Sequence, residues 1–600
     1  MTPKKTTPFF PQRLTLLILY LIPILGILGL VSYFSVNVPV YDQWVLPYWF
    51  EKFHAGTLTL KNLFAQHNSH RIFFPKLIFI ALSFASGWNI RWELYFSIIL
   101  ALLTFFSLYR ISQITAQNLT QTSLHLANLS SCILLFSWVQ HENWLWGFQI
   151  AIFLINLCVV LSCLILSTQI VQPKIKLTIS AILCTIASFS SAQGLLSWLA
   201  IIPSVWSLEG SVRDKKKRLS IWLGLFLFSG LIYSINYRQE TDTIPIVVIE
   251  NKILATVHFF LNLLATPFLD SPHLNWLIGG IIFALFLGLI LSALFSFKSE
   301  QLMINLSPWI SISLFSLLCS ALIAVGRSGL GADYAIIASR YTTHTILLPI
   351  ALIQLSPRII LTPSPDFKIR SRPNTVFVVG FLTGILIGLN LVQSANSFIL
   401  VQSRFPLFQG GKTCIHLIEY LEQSAFLKTS PQSCLSLLIT TQWRELIWDS
   451  AETLKRLNFR EFAQNVVFIE TPQQTYGEIT APQPLNKVIN LSTSESVKLE
   501  GWIKPSHSNI VLFSLADQRS FFANTYAIDF SKPTLNREQI SSEKLIKWEV
   551  VLSADFLPVG TNIIQAWIYN STENQFIKLN HQVSLKVLNT NPSQSESSPG

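Results

Sequence analysis

The amino-acid sequence predicts an α-helical polytopic membrane protein with an extracytoplasmic α plus β-sandwich domain at its C-terminal end. Of the 600 residues, 51% are hydrophobic and 12% are charged. The mean hydropathy is +0.48, well above what a soluble domain tolerates on its surface. Long apolar segments recur as far as residue 396, and each approaches the length needed to cross a bilayer. From about residue 488 they give way to short alternating segments, which are typical of β-strands.

The apolar segments predict about 11 to 13 transmembrane or re-entrant helices. The segment that begins at Leu14 is about twice as long as the hydrophobic core of a signal peptide and lacks a small-residue cleavage site, so we expect a retained helix. The segments lie near residues 12–35, 72–87, 92–109, 124–139, 148–169, 175–191, 193–208, 219–236, 253–269, 274–297, 303–325, 341–357 and 374–396.

The distribution of charge predicts how these helices are oriented. The net charge is +11, and residues 1–396 hold 25 Lys and Arg against 13 Asp and Glu. Basic runs at 213–218 and 368–372 are typical of cytoplasmic loops, because Lys and Arg are retained on that side of a membrane. We therefore expect a multi-pass protein of the plasma (inner) membrane with a cytoplasmic N-terminus and no nucleic-acid partner.

The same rule predicts which polar loops share the outer face. Strict alternation of thirteen crossings would place the basic run 213–218 outside, against the positive-inside rule. The conflict disappears if 72–87 and 253–269, which are short and interrupted, re-enter or lie at the interface, leaving about eleven crossings. The outer face then carries the loops at 36–71, 140–149, 190–194 and 326–341.

The domain boundaries follow from the changes in pattern. Residues 1–396 form the predicted transmembrane domain, and 36–71 is its first outer loop. Residues 397–475 show apolar side chains at helical spacing, and 476–590 read as an antiparallel β-sandwich. The polar residues 591–600 predict a disordered tail.

Two cysteines lie in the polar C-terminal region. Cys414 and Cys434 are about twenty residues apart and form an isolated pair outside the apolar segments. Such a pair predicts a disulfide in an oxidising compartment, and hence an extracytoplasmic C-terminal domain. Two reduced thiols in a cytosolic region are the alternative.

An acidic side chain follows the first apolar segment. Asp42 stands among aromatic residues in "YDQW", where partial desolvation would raise the basicity of its carboxylate. A general base requires that property. The alternative is a solvated carboxylate beside an interfacial belt of Tyr and Trp.

A dense polar cluster, "HNSHR", precedes the second apolar segment. Imidazole and guanidinium groups can hold a phosphate, and imidazoles can also bind a metal or transfer a proton. The alternative is a snorkelling arginine with solvated histidines. The candidate substrate-binding residues are His67, Asn68, His70 and Arg71.

A second polar cluster, "QHENWLWGFQ", mixes aromatic rings with amides and a carboxylate. Flat rings can contact the C–H faces of a sugar while the polar groups bind its hydroxyls, so this loop predicts a carbohydrate surface. An aromatic belt explains the tryptophans but not the polar side chains. The candidates are Glu142, Asn143, Trp144, Trp146 and Gln149, together with Gln193 of the loop at 190–194.

The loop "GRSGLGADYAIIASRY" carries two arginines on the face predicted to be outside. Arg327 and Arg340 oppose the positive-inside trend, so we expect them, with Tyr341, to bind an anion such as lipid-linked phosphate. Anionic lipid headgroups in general are the alternative ligand.

The layout of these motifs resembles the GT-C superfamily of polytopic glycosyltransferases, which includes protein O-mannosyltransferases and aminoarabinose transferases. The resemblance covers most of residues 1–396 and rests on "YDQW" and "HNSHR". It implies that Asp42 is the catalytic base. Many members have two adjacent acids in this loop, whereas Tyr41 and Gln43 flank Asp42 here, so Glu51 or Glu142 would have to supply a second acid.

The resemblance also implies a reaction. A sugar would move with inversion from a polyprenyl-phosphate donor in the lipid bilayer to an extracytoplasmic acceptor, which could be a cell-surface glycan, a lipid or a protein. The sequence contains no motif that requires a cofactor, and a bound divalent metal is left as an alternative. Two other classes are a polysaccharide or lipid transporter or flippase and a non-catalytic scaffold that presents the β-sandwich.

Overall fold

The structure is a computed structural model that describes residues 10–117, 119–238, 252–296, 300–360, 373–428, 433–485, 487–504, 510–527 and 545–588. The predicted tail 591–600 and the basic run 368–372 lie outside the described residues. The chain is mostly helical and ends in a β-sheet region. It forms two compact units. The helical unit comprises Met1–Ser35, Leu58–Leu82 and Arg91–Ile399, and the C-terminal unit comprises Val36–Thr57, Ser83–Ile90 and Leu400–Gly600.

Apolar sequence dominates the helices of the described residues. They are α1 (Phe10–Phe34), α2 (Leu46–His54), α3 (Leu60–Phe64), α4 (Phe73–Ser86), α5 (Ile90–Ile114), α6 (Gln121–Leu135), α7 (His141–Leu145), α8 (Ile150–Ser167), α9 (Pro173–Ser188), α10 (Leu196–Ala200), α11 (Ile202–Trp206), α12 (Val212–Ser234), α13 (Lys252–Ala265), α14 (Asn275–Ser296), α15 (Glu300–Arg327), α16 (Tyr334–Ile337), α17 (Thr342–Thr345), α18 (Leu347–Ile360), α19 (Pro373–His416), α20 (Gln423–Lys428) and α21 (Glu445–Arg456).

Within the described residues, eight helical segments are long and apolar enough to cross a membrane, which indicates a multi-pass membrane protein. Three shorter apolar helices are also present, namely Phe73–Ser86, Ala192–Trp206 and Lys252–Ala265. The predicted segments 175–191 and 219–236 correspond to α9 and α12, which are not among the eight. The eight are Leu14–Phe34, Ile90–Ile114, Gln121–Leu145, Gly147–Ser167, Asn275–Ala293, Gln301–Leu330, Ser339–Ile360 and Phe377–His416.

One glycine allows a very close contact inside the helical unit. A Cβ on Gly194 would lie 1.7 Å from the carbonyl oxygen of Ala187, in the last turn of α9. The turn that carries Gln193 therefore packs directly on the backbone of α9, and only glycine fits at position 194.

The first predicted outer loop is divided between the two units, which corrects its assignment to the transmembrane domain as a whole. Residues 36–57 belong to the C-terminal unit because the apolar face of α2, with Leu46 and Phe50 buried, packs on α21. The hydroxyl of Ser450 donates to the carbonyl of Trp44 at 2.9 Å. An ion pair of 2.6 Å joins Arg456 to Glu51.

Within the described residues of the C-terminal unit, ten strands form two sheets. One sheet has the order β1-β9-β8-β10-β3, with β5 paired to β8 and to β6, and the other has the order β2-β4-β7. The strands are β1 (Val467–Ile469), β2 (Gly477–Ala481), β3 (Ile489–Ser492), β4 (Ser496–Ile503), β5 (Ile510–Leu515), β6 (Ala523–Tyr526), β7 (Ile546–Ser553), β8 (Gly560–Asn570), β9 (Gln575–Lys578) and β10 (Val583–Leu588).

Both sheets contribute to one hydrophobic core. Phe513 of β5 and Trp548 of β7 lie in that core with ring centroids 5.6 Å apart. The purely antiparallel arrangement predicted from the sequence is wrong, because β1 pairs with β9 and β3 with β10 in parallel. Strand β1 also begins inside the region predicted to be helical, since three residues are too few to show an alternating pattern.

The predicted disulfide is confirmed. Cys414, in the last turn of α19, is bonded to Cys434, and their Cα atoms are 6.3 Å apart. Both cysteines are buried. The bond ties the end of α19 to the segment that precedes α21.

Candidate functional site

Glu142 and Arg340 form an ion pair that joins two of the predicted polar loops. The backbone N–H of Arg340 donates to Oε2 of Glu142 at 2.9 Å, and the guanidinium lies 3.5 Å from the same oxygen. In return, the backbone N–H of Glu142 donates to the hydroxyl of Ser339 at 3.2 Å. The side chains are 27% and 24% exposed for Arg340 and Glu142, so the pair is held but still reaches the surface of its unit.

Two tyrosines complete the surroundings of the Arg340 guanidinium. Its Nη2 donates to the hydroxyl of Tyr334 at 2.5 Å, and its centre lies 5.0 Å from the ring of Tyr341. Two of its five N–H groups are thus used toward Glu142 and Tyr334. An arginine held in this way can still bind an anion through its other N–H groups.

A buried polar layer fixes the backbone behind this pair. Asn143 is fully buried and donates to the carbonyl of Arg340 at 2.7 Å and to the hydroxyl of Thr343. Asn156 of α8 donates to the carbonyl of Thr343 at 2.7 Å and lies 2.9 Å from Nδ1 of His344. Asn143 therefore positions Arg340 in this structure, although the sequence suggested a direct contact with substrate.

The prediction that Trp144 presents a surface to a sugar is wrong. Its side chain is 0% exposed, its indole N–H donates to the carbonyl of Ser137 at 3.0 Å, and its ring lies 4.7 Å from that of Phe153. Gln149 is buried as well. Trp146 is partly exposed, so it is the tryptophan of this loop that can face a ligand.

The predicted histidine cluster forms a tight turn. The backbones of His67 and His70 exchange hydrogen bonds of 2.8 and 2.9 Å. Asn68 between them is exposed and has a φ of 46°, a left-handed conformation that asparagine adopts more readily than most residues. The ring of His67 lies 5.1 Å from that of Phe148, so the turn packs against the loop that carries Trp146.

His70 and Gln193 are brought together by a serine. Nδ1 of His70 lies 3.3 Å from the hydroxyl of Ser191 and 3.4 Å from the backbone nitrogen of Ala192. The same hydroxyl donates to Oε1 of Gln193. The predicted loops at 36–71 and 190–194 therefore meet in the helical unit through residues far apart in sequence.

The side chain of Arg71 binds backbone carbonyls at the C-terminal end of α12. The structure therefore lends no support to its predicted role as a phosphate ligand. Its side chain is 3% exposed. The guanidinium donates to the carbonyls of Tyr233 at 2.6 Å, Phe64 at 2.7 Å and Ile235. A cation is favourable at the C-terminus of α12, where carbonyls lack helical partners. Burial lowers the pKa of this guanidinium.

Arg327 stands apart from the Glu142–Arg340 pair. It is the last residue of α15 and is exposed. Within the described part of the chain, its side chain forms no hydrogen bond or ion pair. It remains a candidate for anionic headgroups, the alternative ligand for this loop.

Asp42 belongs to the C-terminal unit and lies in a strained turn. The 3-10 helix Tyr41–Val45 begins with Tyr41 at a φ of 49°, a conformation that is unfavourable for an aromatic residue. The backbone N–H of Tyr41 donates to the carbonyl of Leu438 at 2.5 Å, and Oε1 of Gln43 accepts from the backbone of Val40 at 3.1 Å. Such strain often accompanies functional residues, and here it fixes the partly exposed Asp42.

Several residues of the site were not predicted. Ser339, Tyr334, Asn156, Thr343 and His344 all hold the loop around Arg340, as described above. The run "TTHT" at 342–345, polar within an apolar segment, was the signal for two of them, because buried polar groups need partners.

Among the residues that the structure describes, no group of three or more His, Cys, Asp or Glu side chains is placed to hold a metal ion.

The chain matches no protein-family model, no curated protein and no solved structure.

Proposed function

We propose that this chain is a membrane glycosyltransferase of the GT-C type, which moves a sugar from a polyprenyl-phosphate donor to an extracytoplasmic acceptor. The observation that carries the proposal is the Glu142–Arg340 pair, which lies where the candidate spans Gln121–Leu145 and Ser339–Ile360 end and begin. The ends of spans that cross a membrane lie at the level of the lipid headgroups, and an arginine there can bind a phosphate through its planar fork of N–H groups. A fixed, partly exposed guanidinium at the end of a candidate span suits the phosphate of a lipid-linked sugar.

Arg340 would hold the donor phosphate. Glu142 fixes the guanidinium and its backbone together, so little ordering is needed when the anion binds. Trp146 would contact the sugar ring, and His70 and Gln193 would bind its hydroxyls or the phosphate. These groups supply binding and orientation, which lower the barrier by fixing the reacting atoms.

Asp42 would act as the general base. Its carboxylate takes the proton of the acceptor hydroxyl while the acceptor oxygen forms a bond to the anomeric carbon. The bond from that carbon to the phosphate oxygen breaks, polyprenyl phosphate leaves, and the configuration inverts. The strained backbone at Tyr41 supports this assignment, because it holds the neighbouring carboxylate in one place. Glu51 is held in an ion pair with Arg456, so its carboxylate is less available to an acceptor hydroxyl than that of Asp42.

The proposal places the protein in the plasma (inner) membrane with a cytoplasmic N-terminus and an extracytoplasmic C-terminal unit. The disulfide between Cys414 and Cys434 supports that orientation, because disulfides persist in oxidising compartments. The acceptor would then be a cell-surface glycan, a lipid or a protein on that side. The two-sheet region would be a β-sandwich that binds the acceptor.

A transporter or flippase is the second candidate, and Arg358 is the observation that favours it. This arginine is buried within a candidate span, as charged residues of transport pathways often are. However, its guanidinium donates to the carbonyls of Ser112, Thr115 and Gln354 at 2.9, 3.2 and 2.6 Å. Like Arg71, Arg358 therefore has a structural role, which is to bind backbone carbonyls. Because it is not left for a transported ligand, the transferase is favoured over the transporter.

The test is transfer by the purified chain in nanodiscs, with a panel of polyprenyl-phosphate sugars, with and without EDTA. If the chain is a transferase, we expect that one donor is consumed and that Asp42→Asn and Arg340→Gln lose the activity. Arg327→Gln is the matched control and should retain it. Movement of the intact donor across the bilayer without cleavage of the sugar–phosphate bond would favour the flippase.

A further inference from the structure

The sheet β2-β4-β7 has one face in the hydrophobic core and one face in solvent. Along β4, Val497, Leu499 and Ile503 are buried in the core, while Lys498, Glu500 and Trp502 point outward. The outward residues that matter here, together named the Trp502 face, are Glu478, Lys498, Glu500, Trp502, Lys547 and Glu549.

A tryptophan stands at the centre of this face. Trp502 lies directly opposite Glu478 on one side and Lys547 on the other, and it is partly exposed. Its indole N–H donates to Oε1 of Glu478 at 2.9 Å, and Oε2 of Glu478 lies 3.8 Å from Nε2 of His581. The ring is therefore held at its N–H edge among polar side chains. Its apolar faces are not part of the hydrophobic core.

Two carboxylates face each other beside it. Glu500 and Glu549 are directly opposite in register, an arrangement that is destabilising on a sheet surface. The ammonium of Lys498 lies between them, 2.9 Å from Glu500 and 2.7 Å from Glu549. Lys498 therefore offsets the repulsion between the two carboxylates and holds them side by side on the surface.

We propose that the Trp502 face binds a neutral glycan chain. The indole ring can cover the C–H face of one sugar, as aromatic rings favour flat apolar contacts with a polar rim, and the carboxylates of Glu478, Glu500 and Glu549 accept hydrogen bonds from hydroxyls of the same or adjoining sugars. Three carboxylates against two ammonium groups repel a polyanion. Trp502 and Val551, which is 49% exposed on the same face, offer too little apolar area for a stable protein interface.

This glycan is the acceptor chain, and that part of the inference rests on the proposed function. Binding itself does not depend on transfer. A face that holds a glycan would keep a growing or finished chain on the C-terminal unit while a single sugar is added elsewhere. The reaction would thus act on oligosaccharides in preference to single sugars.

The experiment measures binding of the full chain in nanodiscs to an array of neutral gluco-, manno- and N-acetylglucosamine oligosaccharides. We expect a signal for at least one neutral oligosaccharide and at least a tenfold weaker one for Trp502→Ala. Trp443→Ala is the matched control, since Trp443 is 55% exposed in the same unit and lies outside the sheet, and it should bind like the parent chain. Trp502→Phe should retain part of the binding.

The inference is overturned if no neutral oligosaccharide binds, or if Trp502→Ala binds as well as the parent. Size-exclusion profiles and melting temperatures of the variants exclude misfolding as the cause of a loss. Arg340→Gln separates this inference from the proposed function, because it should lose transfer and still bind the glycan. If the parent chain bound a glycan but transferred no sugar, the inference about the Trp502 face would be upheld and the proposed transferase activity would be contradicted.

Discussion

Glu142 accepts a hydrogen bond of 2.9 Å from the backbone N–H of Arg340, a residue 198 positions further along the chain. The contact joins two loops that the sequence predicted to lie on one face of the membrane. It also makes Glu142 a residue that positions Arg340, since the same carboxylate oxygen contacts both the backbone and the guanidinium. The two loops therefore act as one structural element.

Replacement of Arg340 by lysine should raise the KM for the lipid-linked donor by about 10- to 100-fold. A hydrogen bond to a charged group contributes about 1.5–3 kcal/mol, and lysine keeps the charge without the planar fork. Steady-state kinetics over a range of donor concentrations measure the change. Arg327→Lys should leave KM within about twofold, and an equal effect of both variants would mean that the loop attracts anions only through its net charge.

Replacement of Asp42 by asparagine should lower kcat by about 10²- to 10⁴-fold, the usual contribution of a general base. The side chain keeps nearly the same size, so the turn at Tyr41–Val45 should persist. Glu51→Gln on the same loop is the control and should retain most of the activity, because Glu51 is engaged by Arg456. Full activity of the Asp42 variant would remove this residue from the mechanism.

Trp144 and Trp146 should differ in the property that they affect. Trp144→Ala leaves a cavity in a fully buried position and should destabilise the protein by about 3–5 kcal/mol. Trp146→Ala should change the melting temperature little and raise the KM for the donor. Thermal unfolding in detergent, read beside transfer kinetics, separates the two, and a large loss of stability for Trp146→Ala alone would reverse the assignment.

Gly194→Ala should destabilise the helical unit and disturb Gln193. The added Cβ would lie 1.7 Å from the carbonyl of Ala187, and backbone atoms cannot move aside cheaply. Gly224→Ala is the matched control, since a Cβ there meets nothing within 4 Å, and alanine in helix α12 should be neutral or slightly stabilising. Equal melting temperatures for the two variants would contradict the close packing described for this turn.

The sequence predicted the features that depend on local pattern. Strands β4, β5, β7, β8 and β10 correspond to the β-rich segments "SVKLEGWIK", "NIVLFSLAD", "IKWEVVLSA", "TNIIQAWIYN" and "HQVSLKVLN" of the sequence. Side chains alternate between buried and exposed along β4, β7 and β10, whereas β5 and β8 are almost continuously buried, as short apolar runs predict. The strands that were missed are β1, β2, β3, β6 and β9, all of three to five residues.

The predictions that failed depend on contacts that no local pattern carries. Arg71 has the composition of a phosphate ligand, yet the carbonyls at the end of α12 use its donors. Trp144 and Trp146 are indistinguishable in "WLW", and only the packing of Phe153 and Ser137 buries the first of them. The aromatic residues of α2 suggested a membrane interface, whereas its apolar face packs on α21.

The most direct test of the proposed function is the release of polyprenyl phosphate by the purified chain. With a donor labelled in both sugar and phosphate, we expect one polyprenyl phosphate for each sugar transferred to the acceptor, and at least a hundredfold slower release by Asp42→Asn. Inverted configuration at the anomeric carbon of the product completes the result. Absence of release from every donor of the panel, by a chain that is folded and inserted, would contradict the account.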